Sequence, residues 1–186
     1  MPPKTKISRD MIISAAFALT REQGIDAVNA RTVSERLGCS TQPVMYHFRR
    51  IEELKRAVYE ETDRFHSKYL LEQRDSTIDI LSSIGLNYIR FAVEEPHLFR
   101  LLFQSGYAVE NSVVEMINSK ELQEVLAVMQ EAMDLDADQT RQVFLTLSLF
   151  VHGYASLIAN NGLQYDEALI SAQLEQVYRG AVLAVQ

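Results

Sequence analysis

Residue types that build disulfide-rich, β-rich or disordered proteins are scarce in this chain. Its 186 residues include one cysteine, no tryptophan, four prolines and seven glycines. The single cysteine, Cys39, cannot form a disulfide within the chain, which favours a reducing compartment such as the cytoplasm. So little glycine and proline argues against a β-sandwich, a barrel or a disordered chain.

Signatures of membrane proteins and of enzymes are also lacking. The sequence has no run of 18 apolar residues and no charged-then-apolar leader, so we expect neither a membrane span nor a secretory signal. It has no Ser/His/Asp set, no paired carboxylates and no phosphate-binding loop. The four histidines, at positions 47, 66, 97 and 152, have no partner at metal-binding spacing. We therefore expect no catalytic residue, no metal site and no cofactor.

The charge of the chain is unevenly distributed. Residues 1–57 carry ten Lys/Arg and six Asp/Glu, a net charge of +4, and they begin with the basic segment "MPPKTK". Residues 58–186 carry eight Lys/Arg and nineteen Asp/Glu, a net charge of −11. This asymmetry predicts a basic N-terminal module that binds a polyanion, although helical segments also differ in charge without any such role.

Apolar residues recur at helical spacing along the chain, which predicts an all-α fold. Ser8, Asn29 and Asp136 are placed as N-caps, the last in a capping box with Gln139. The sequence predicts a helix-turn-helix domain at 1–50 and a helical regulatory and dimerisation domain at 51–186.

The stretch "ARTVSERLGCSTQPVMYHFRRIEEL", Ala30 to Leu54, predicts two short helices joined at Gly38-Cys39-Ser40. We expect the Ser40 hydroxyl to cap the second helix by accepting from the N–H of Gln42. Helix, glycine-containing turn, helix is the geometry that places a recognition helix in a DNA major groove. Two short packed helices with ordinary polar surfaces would give the same bare pattern.

Residues 8–56 resemble the N-terminal domain of the tetracycline-repressor (TetR) family of transcription regulators. The similarity is carried by Gly24, Val33, Gly38, Ser40, His47, Phe48 and Leu54. It implies an N-terminal three-helix DNA-binding domain and a C-terminal helical ligand-binding and dimerisation domain. "EEPHLFRLLF" and "FVHGYASLIANNG" resemble C-terminal segments of one subgroup of the family. Two positions depart from the family pattern, since Met45 stands where Tyr is common and Ile51 where Lys is common.

Three sets of candidate residues follow. Those expected to contact DNA are Arg31, Thr32, Ser40, Thr41, Gln42, Met45, Tyr46, His47, Arg49 and Arg50. Large side chains expected to line an inducer pocket, or simply to form core, are Phe65, Tyr69, Tyr88, Phe91, Phe103, Met129, Phe144 and His152. Residues expected at a dimer interface are Phe150, Gly153, Tyr154, Leu157, Leu174, Val177, Tyr178 and Ala181.

These features predict a cytoplasmic transcription regulator. It would bind double-stranded DNA at a near-palindromic operator as a homodimer, act as a repressor and be released by a small-molecule inducer. The rival hypothesis is an all-α small-molecule-binding or adaptor protein whose N-terminal domain no longer binds DNA. The unusual residues Met45 and Ile51 are the reason for retaining this hypothesis.

Overall fold

A computed structural model describes residues 7–107, 115 and 117–186, and within them all regular structure is helical. This confirms the predicted all-α class, while the basic segment 1–6 lies outside the described residues. The α-helices are α1 (Arg9–Gln23), α2 (Ala30–Arg36), α3 (Thr41–His47), α4 (Ile51–Leu70), α5 (Ile80–Glu94), α6 (Pro96–Phe103), α7 (Gln123–Met133), α8 (Ala137–Asn161) and α9 (Glu167–Leu183).

The described residues pack into two compact units. The first contains residues 7–63 and 97–107, and the second contains 64–96, 115 and 117–186. Helix α4 therefore begins in the first unit and ends in the second, and α6 from His97 onward belongs to the first unit. The functional division at residue 50 stays a prediction, since packing separates the chain inside α4.

Local hydrogen bonds set the ends of the first helices. The Ser8 hydroxyl accepts from the N–H of Met11 at 3.2 Å, which starts α1. Helix α1 ends at Gly24, whose φ of 86° is a backbone conformation that residues with a side chain rarely adopt. Asn29 and Thr32 form a capping box at the start of α2, in which each side chain accepts from the other residue's backbone N–H.

One small apolar core holds the first unit together. It contains three fully buried side chains, those of Ile12 of α1, Val33 of α2 and Leu54 of α4. The side chain of Val44 of α3 is 1% exposed in the same core. Leu101 of α6 belongs to the same core, so a helix distant in sequence completes the unit. A seven-residue helix is unstable in isolation, and α3 depends on these contacts.

The second unit is built around α8, which packs against α5, α7 and α9. Asp136 and Gln139 form the predicted capping box at the start of α8. Helices α5 and α9 approach closely at Gly85, where a Cβ would lie 2.5 Å from Cδ2 of Leu174.

Among the described helices, α8 is long and apolar enough to cross a membrane by length and composition alone. This is weak evidence, because core helices of soluble proteins share the property. Only 28% of the most apolar 18-residue stretch of α8 is buried in the structure, and Leu149 and Leu157 are more than half exposed. Much of its apolar surface therefore has no partner among the described residues.

Replacing Gly85 by Ala should destabilise the second unit. The added methyl group would overlap with the buried Leu174 side chain, and overpacking of this kind costs about 1–3 kcal/mol in the free energy of unfolding. Urea titration followed by circular dichroism measures the change. In a double-mutant cycle with Leu174→Ala, part of the cost should disappear, because the smaller side chain removes the overlap. Additive losses would show that the two helices do not meet there.

Candidate nucleic-acid interface

The joint between α2 and α3 is fixed by backbone hydrogen bonds. The N–H of Gly38 donates to Glu35 O at 3.1 Å and that of Cys39 to Ser34 O at 3.0 Å. Gly38 has φ 63°, so the chain turns through a left-handed residue without a Cβ penalty. The turn confirms the predicted break between the two short helices.

Helix α3 has one buried stripe and one exposed face. Val44 and the following Phe48 are buried, whereas Thr41, Gln42, Met45 and Tyr46 are exposed. Tyr46 is 82% exposed and Met45 is 47% exposed, unusual values for large side chains on a packed helix. This face offers an amide, two hydroxyls and a thioether to an external partner.

Three of the predicted DNA-contact residues near α3 in sequence are exposed arginines. Arg49 and Arg50 follow α3 directly, and the described contacts include no ion pair for either guanidinium. Arg31, at the start of α2, pairs with Glu35, its Nε lying 2.8 Å from the carboxylate. The hydrogen bond that Arg31 donates to Glu35 and the negative charge of that carboxylate raise the pKa of Arg31, which keeps the guanidinium protonated.

Two of the predicted DNA contacts use their side chains inside the unit, and a third occupies a cap position. The Thr32 hydroxyl donates to Ala27 O at 2.7 Å as part of the α2 cap. The His47 ring is half-buried, and its Nε2 lies 3.1 Å from Ile7 O, an arrangement in which Nε2–H donates. Ser40 is the N-cap residue of α3, but the prediction that its hydroxyl caps Gln42 is wrong, because its side chain makes no capping hydrogen bond.

The two departures from the family pattern have different surroundings. Ile51 is half-buried and packs on the core of the first unit, so this position supplies packing where the family often has a charge. Met45 points its side chain to solvent on the face of α3. The positive charge near the start of α4 comes instead from Arg49 and Arg50.

Arg9 is a candidate that the sequence patterns missed. It is exposed, and its guanidinium lies 4.9 Å from the centre of the Phe48 ring, next to the end of α3. Such a cation–π contact orients the charge without neutralising it. Its only sequence signal is its place directly after the α1 cap, beside the basic segment 1–6.

The predicted pocket residues are divided between the units. Phe103 lies in the first unit, and the other seven lie in the second. Tyr69, Phe91, Met129 and Phe144 are buried, while Phe65, Tyr88 and His152 are half-buried. The Phe91 ring is centred 5.2 Å from that of Tyr69 and 4.8 Å from that of His66, in edge-to-face packing.

A neutral polar cluster adjoins these rings. The Tyr88 hydroxyl lies 2.9 Å from His152 Nδ1, and the Ser156 hydroxyl lies 3.2 Å from His152 Nε2. Burial lowers the pKa values of His66 and His152 and raises that of Tyr88, so all three are uncharged near neutral pH. Hydrogen bonding here therefore involves neutral donors and acceptors. Groups of three potential metal ligands are not found in the part of the chain that is described.

The predicted dimer residues also differ in their surroundings. Leu174 and Ala181 are buried in the core of the second unit and are used within the protomer. Gly153 and Leu157 are exposed, while Phe150, Tyr154, Val177 and Tyr178 are half-buried. A Cβ added at Gly153 would meet nothing within 4 Å, so packing inside the protomer does not require this mid-helix glycine.

Family models match both parts of the chain. Residues 12–58 match the model of bacterial regulatory proteins of the tetR family. Residues 81–180, more than half of the chain, match the model of the tetracyclin repressor-like C-terminal domain. No curated protein matches the chain.

Solved structures of similar fold extend over nearly the whole chain. A tetR-family transcriptional regulator from Streptomyces coelicolor is 18% identical, with a TM-score of 0.70, and the match covers 95% of this chain and 81% of that one. A protein of unknown function from Rhodococcus sp. RHA1 is 20% identical, with a TM-score of 0.72 and coverage of 97% and 98%. A TetR variant from Acinetobacter baumannii AYE, in complex with minocycline, is 17% identical, with a TM-score of 0.62 and coverage of 97% and 99%. At these identities the likeness shows a shared fold.

Replacing Glu35 by Gln should strengthen DNA binding. The change frees Arg31 from its ion pair and removes a negative charge beside it. Exposed ion pairs are weak, so we expect affinity for duplex DNA to rise by at most about five-fold, and only at low salt. Fluorescence anisotropy with a labelled duplex measures it.

Glu175→Gln provides the matched control, since Glu175 pairs with Arg179 four residues away on α9. It changes the charge equally, far along the chain from the α2–α3 face, and should leave affinity unchanged. Equal effects of the two variants would contradict a specific role for Arg31.

Proposed function

This chain belongs to the tetracycline-repressor family of DNA-binding transcription regulators, and we propose that it is a cytoplasmic repressor released from its operator by a small molecule. Two subunits would bind a near-palindromic site, each placing α3 in a major groove. The exposed face of α3, with Gln42 and Tyr46, followed directly by the exposed Arg49 and Arg50, is the observation that carries the proposal.

The chemistry of this face suggests a role for each side chain. Gln42 can form a bidentate pair with adenine, and Thr41 and Met45 can contact thymine methyl groups. Arg31, Arg49 and Arg50 would bind phosphates, as would the hydroxyls of Ser40 and Tyr46. Ser40 suits this role because its hydroxyl is not used in the cap. Thr32 and His47 would act mainly by holding their helices in place.

Homodimer formation is supported by the apolar surface of α8. Leu149 is 59% exposed and Leu157 51% exposed, a poor arrangement for a helix in water. Gly153 costs about 1 kcal/mol relative to Ala in a helix interior, and no described atom lies within 4 Å of the position a Cβ would take. Close approach of a second α8 at Gly153 would account for both features.

The second unit offers features suited to an inducer. Its aromatic rings adjoin neutral hydrogen-bonding groups at Tyr88, His152 and Ser156, which suits an uncharged ligand with an aromatic or apolar body. One structural neighbour holds minocycline, which supports a small-molecule site in this fold. A ligand could shift the equilibrium between two spacings of the DNA-binding units only by as much as its affinities for the two arrangements of the dimer differ.

Selection of bound sequences from a random duplex pool, repeated at rising salt, tests the proposal. Enrichment of a near-palindrome whose half-sites lie about one helical turn apart, with a steep salt dependence, is the expected result. Weak binding without enrichment, in the presence and absence of candidate inducers, would contradict it and favour the adaptor hypothesis.

Two substitutions separate phosphate contacts from base reading. Arg31→Ala should weaken binding to all sequences and reduce the salt slope by about one. Gln42→Ala should instead lose discrimination between operator and mutated sites, by about 1–3 kcal/mol, with an unchanged salt slope. Competition titrations with both duplexes measure these effects. If both variants bind like the wild type, α3 is not the recognition helix.

Replacing Gly153 by Glu should dissociate the dimer without unfolding the protomer. A Cβ at Gly153 has no described atom within 4 Å, while two carboxylates would oppose each other at the dimer interface. We expect sedimentation to give a mass near 21.2 kDa at concentrations where the wild type is twice that. Gln130→Glu, an equal charge change at an exposed position on α7, is the control and should remain dimeric. If the Gly153→Glu protein remains dimeric, the dimer interface does not include Gly153.

A further inference from the structure

A methionine on the exposed face of α3 brings chemistry that base contact alone does not require. Met45 is 47% exposed, on a helix of seven residues whose buried stripe is formed by Val44 and the following Phe48. Contact with a thymine methyl group needs only an apolar side chain, which leucine would also supply. The thioether differs from leucine in that its sulfur can be oxidised.

The other methionines of the described chain are less accessible than Met45. Met11, on α1, is 37% exposed, Met133 is half-buried and Met129 is 2% exposed. Met1 and Met116 lie outside the described residues. Because susceptibility to oxidation rises with exposure, Met45 is the preferred target among the methionines that the structure describes.

Hypochlorous acid and N-chloramines are oxidants that convert a thioether to a sulfoxide without a cofactor. With hypochlorous acid, the sulfur lone pair attacks chlorine and hydroxide leaves. Water then adds its oxygen to sulfur, and chloride departs. The sulfur loses two electrons, the chlorine is reduced to chloride, and one proton is released in the net reaction. Methionine sulfoxide reductases return the sulfoxide to the thioether, so the change is reversible.

Oxidation would change how the α3 face meets DNA bases. The thioether of Met45 is apolar enough to pack against a thymine methyl group, whereas a sulfoxide carries a polar oxygen that binds water. Pressed against the methyl group, that oxygen would lose its water without gaining a hydrogen-bond donor. Burial of an unsatisfied acceptor weakens binding by about ten-fold or more. In a dimer, both subunits would incur this loss.

We propose that Met45 is a site of reversible oxidation by hypochlorous acid and N-chloramines, and that its sulfoxide form releases the protein from its operator. This inference rests on the proposed function, since it requires α3 to occupy the major groove. It adds a signal that acts directly on the DNA-binding unit. The fold of that unit should survive the change, because Met45 is exposed and lies outside the apolar core.

The test compares Met45→Leu, which removes the sulfur and keeps an apolar side chain, with Met11→Leu as the matched control. Each protein is treated with a few equivalents of hypochlorous acid, quenched with free methionine, and titrated with the selected duplex. Treatment should lower the affinity of the wild type and of Met11→Leu by about ten-fold or more. Met45→Leu should keep the affinity that it has before treatment. Equal losses in Met45→Leu and the wild type would overturn the inference.

Cys39 is the competing target, because it is half-buried in the turn before α3. Dithiothreitol reduces a sulfenic acid or a disulfide, whereas a methionine sulfoxide needs its reductases. Oxidised wild type should therefore regain affinity with both methionine sulfoxide reductases and dithiothreitol but not with dithiothreitol alone. Cys39→Ser should lose affinity on treatment as the wild type does. Recovery with dithiothreitol alone, or an insensitive Cys39→Ser protein, would assign the effect to Cys39 and refute the role of Met45.

Met45→Gln imitates the sulfoxide without any oxidant, since its side chain is uncharged, polar and of similar length. Before treatment it should bind the duplex about as weakly as the oxidised wild type, with an unchanged circular dichroism spectrum. Affinity equal to that of the untreated wild type would contradict the inference.

Peptide mass spectrometry separates failure of this inference from failure of the proposed function. A wild type that binds no duplex before treatment would refute the proposed function. Wild-type affinity that persists once Met45 is fully converted to its sulfoxide would refute only the oxidation inference.

Discussion

Burial of one stripe of α3 determines which residues can face a partner. The helix has seven residues, too few to be stable in isolation, and Val44 with the following Phe48 attaches it to a core built by α1, α2, α4 and α6. With this stripe fixed, the helical period directs Thr41, Gln42, Met45 and Tyr46 outward. The exposed face is thus a consequence of packing, and changes in the core would reorient it.

Polar residues around α2 and α3 divide into those that hold the scaffold and those left free. The side chains of Thr32 and His47 form hydrogen bonds with the backbone carbonyl groups of Ala27 and Ile7, respectively. Ser40 occupies a cap position without using its hydroxyl. Because buried or half-buried polar groups are normally hydrogen-bonded, the free groups are the better candidates for an external ligand. Residue type alone does not separate the two classes.

Local patterns predicted much of the fold, and long-range packing accounts for what they missed. Caps at Ser8, Asn29 and Asp136 and the break at Gly38 depend on neighbours within five residues, so the sequence reveals them. The return of α6 to the first unit through Leu101, and the burial of Leu174 against Gly85, join residues far apart in sequence. Periodicity identified an apolar face on each helix but not the helix that covers it.

A partner for α8 would also explain how a change in the second unit could alter DNA binding. In a homodimer joined at α8, the separation of the two recognition helices depends on the geometry of that seam and on α4, a continuous helix that runs from one unit into the other. Operator half-sites lie at fixed multiples of a helical turn, so a few ångströms of displacement would misplace one head. An uncharged ligand near His152 would need only a modest preference for one arrangement of the dimer interface. A difference of about 1.4 kcal/mol in binding free energy changes the equilibrium between two such arrangements ten-fold.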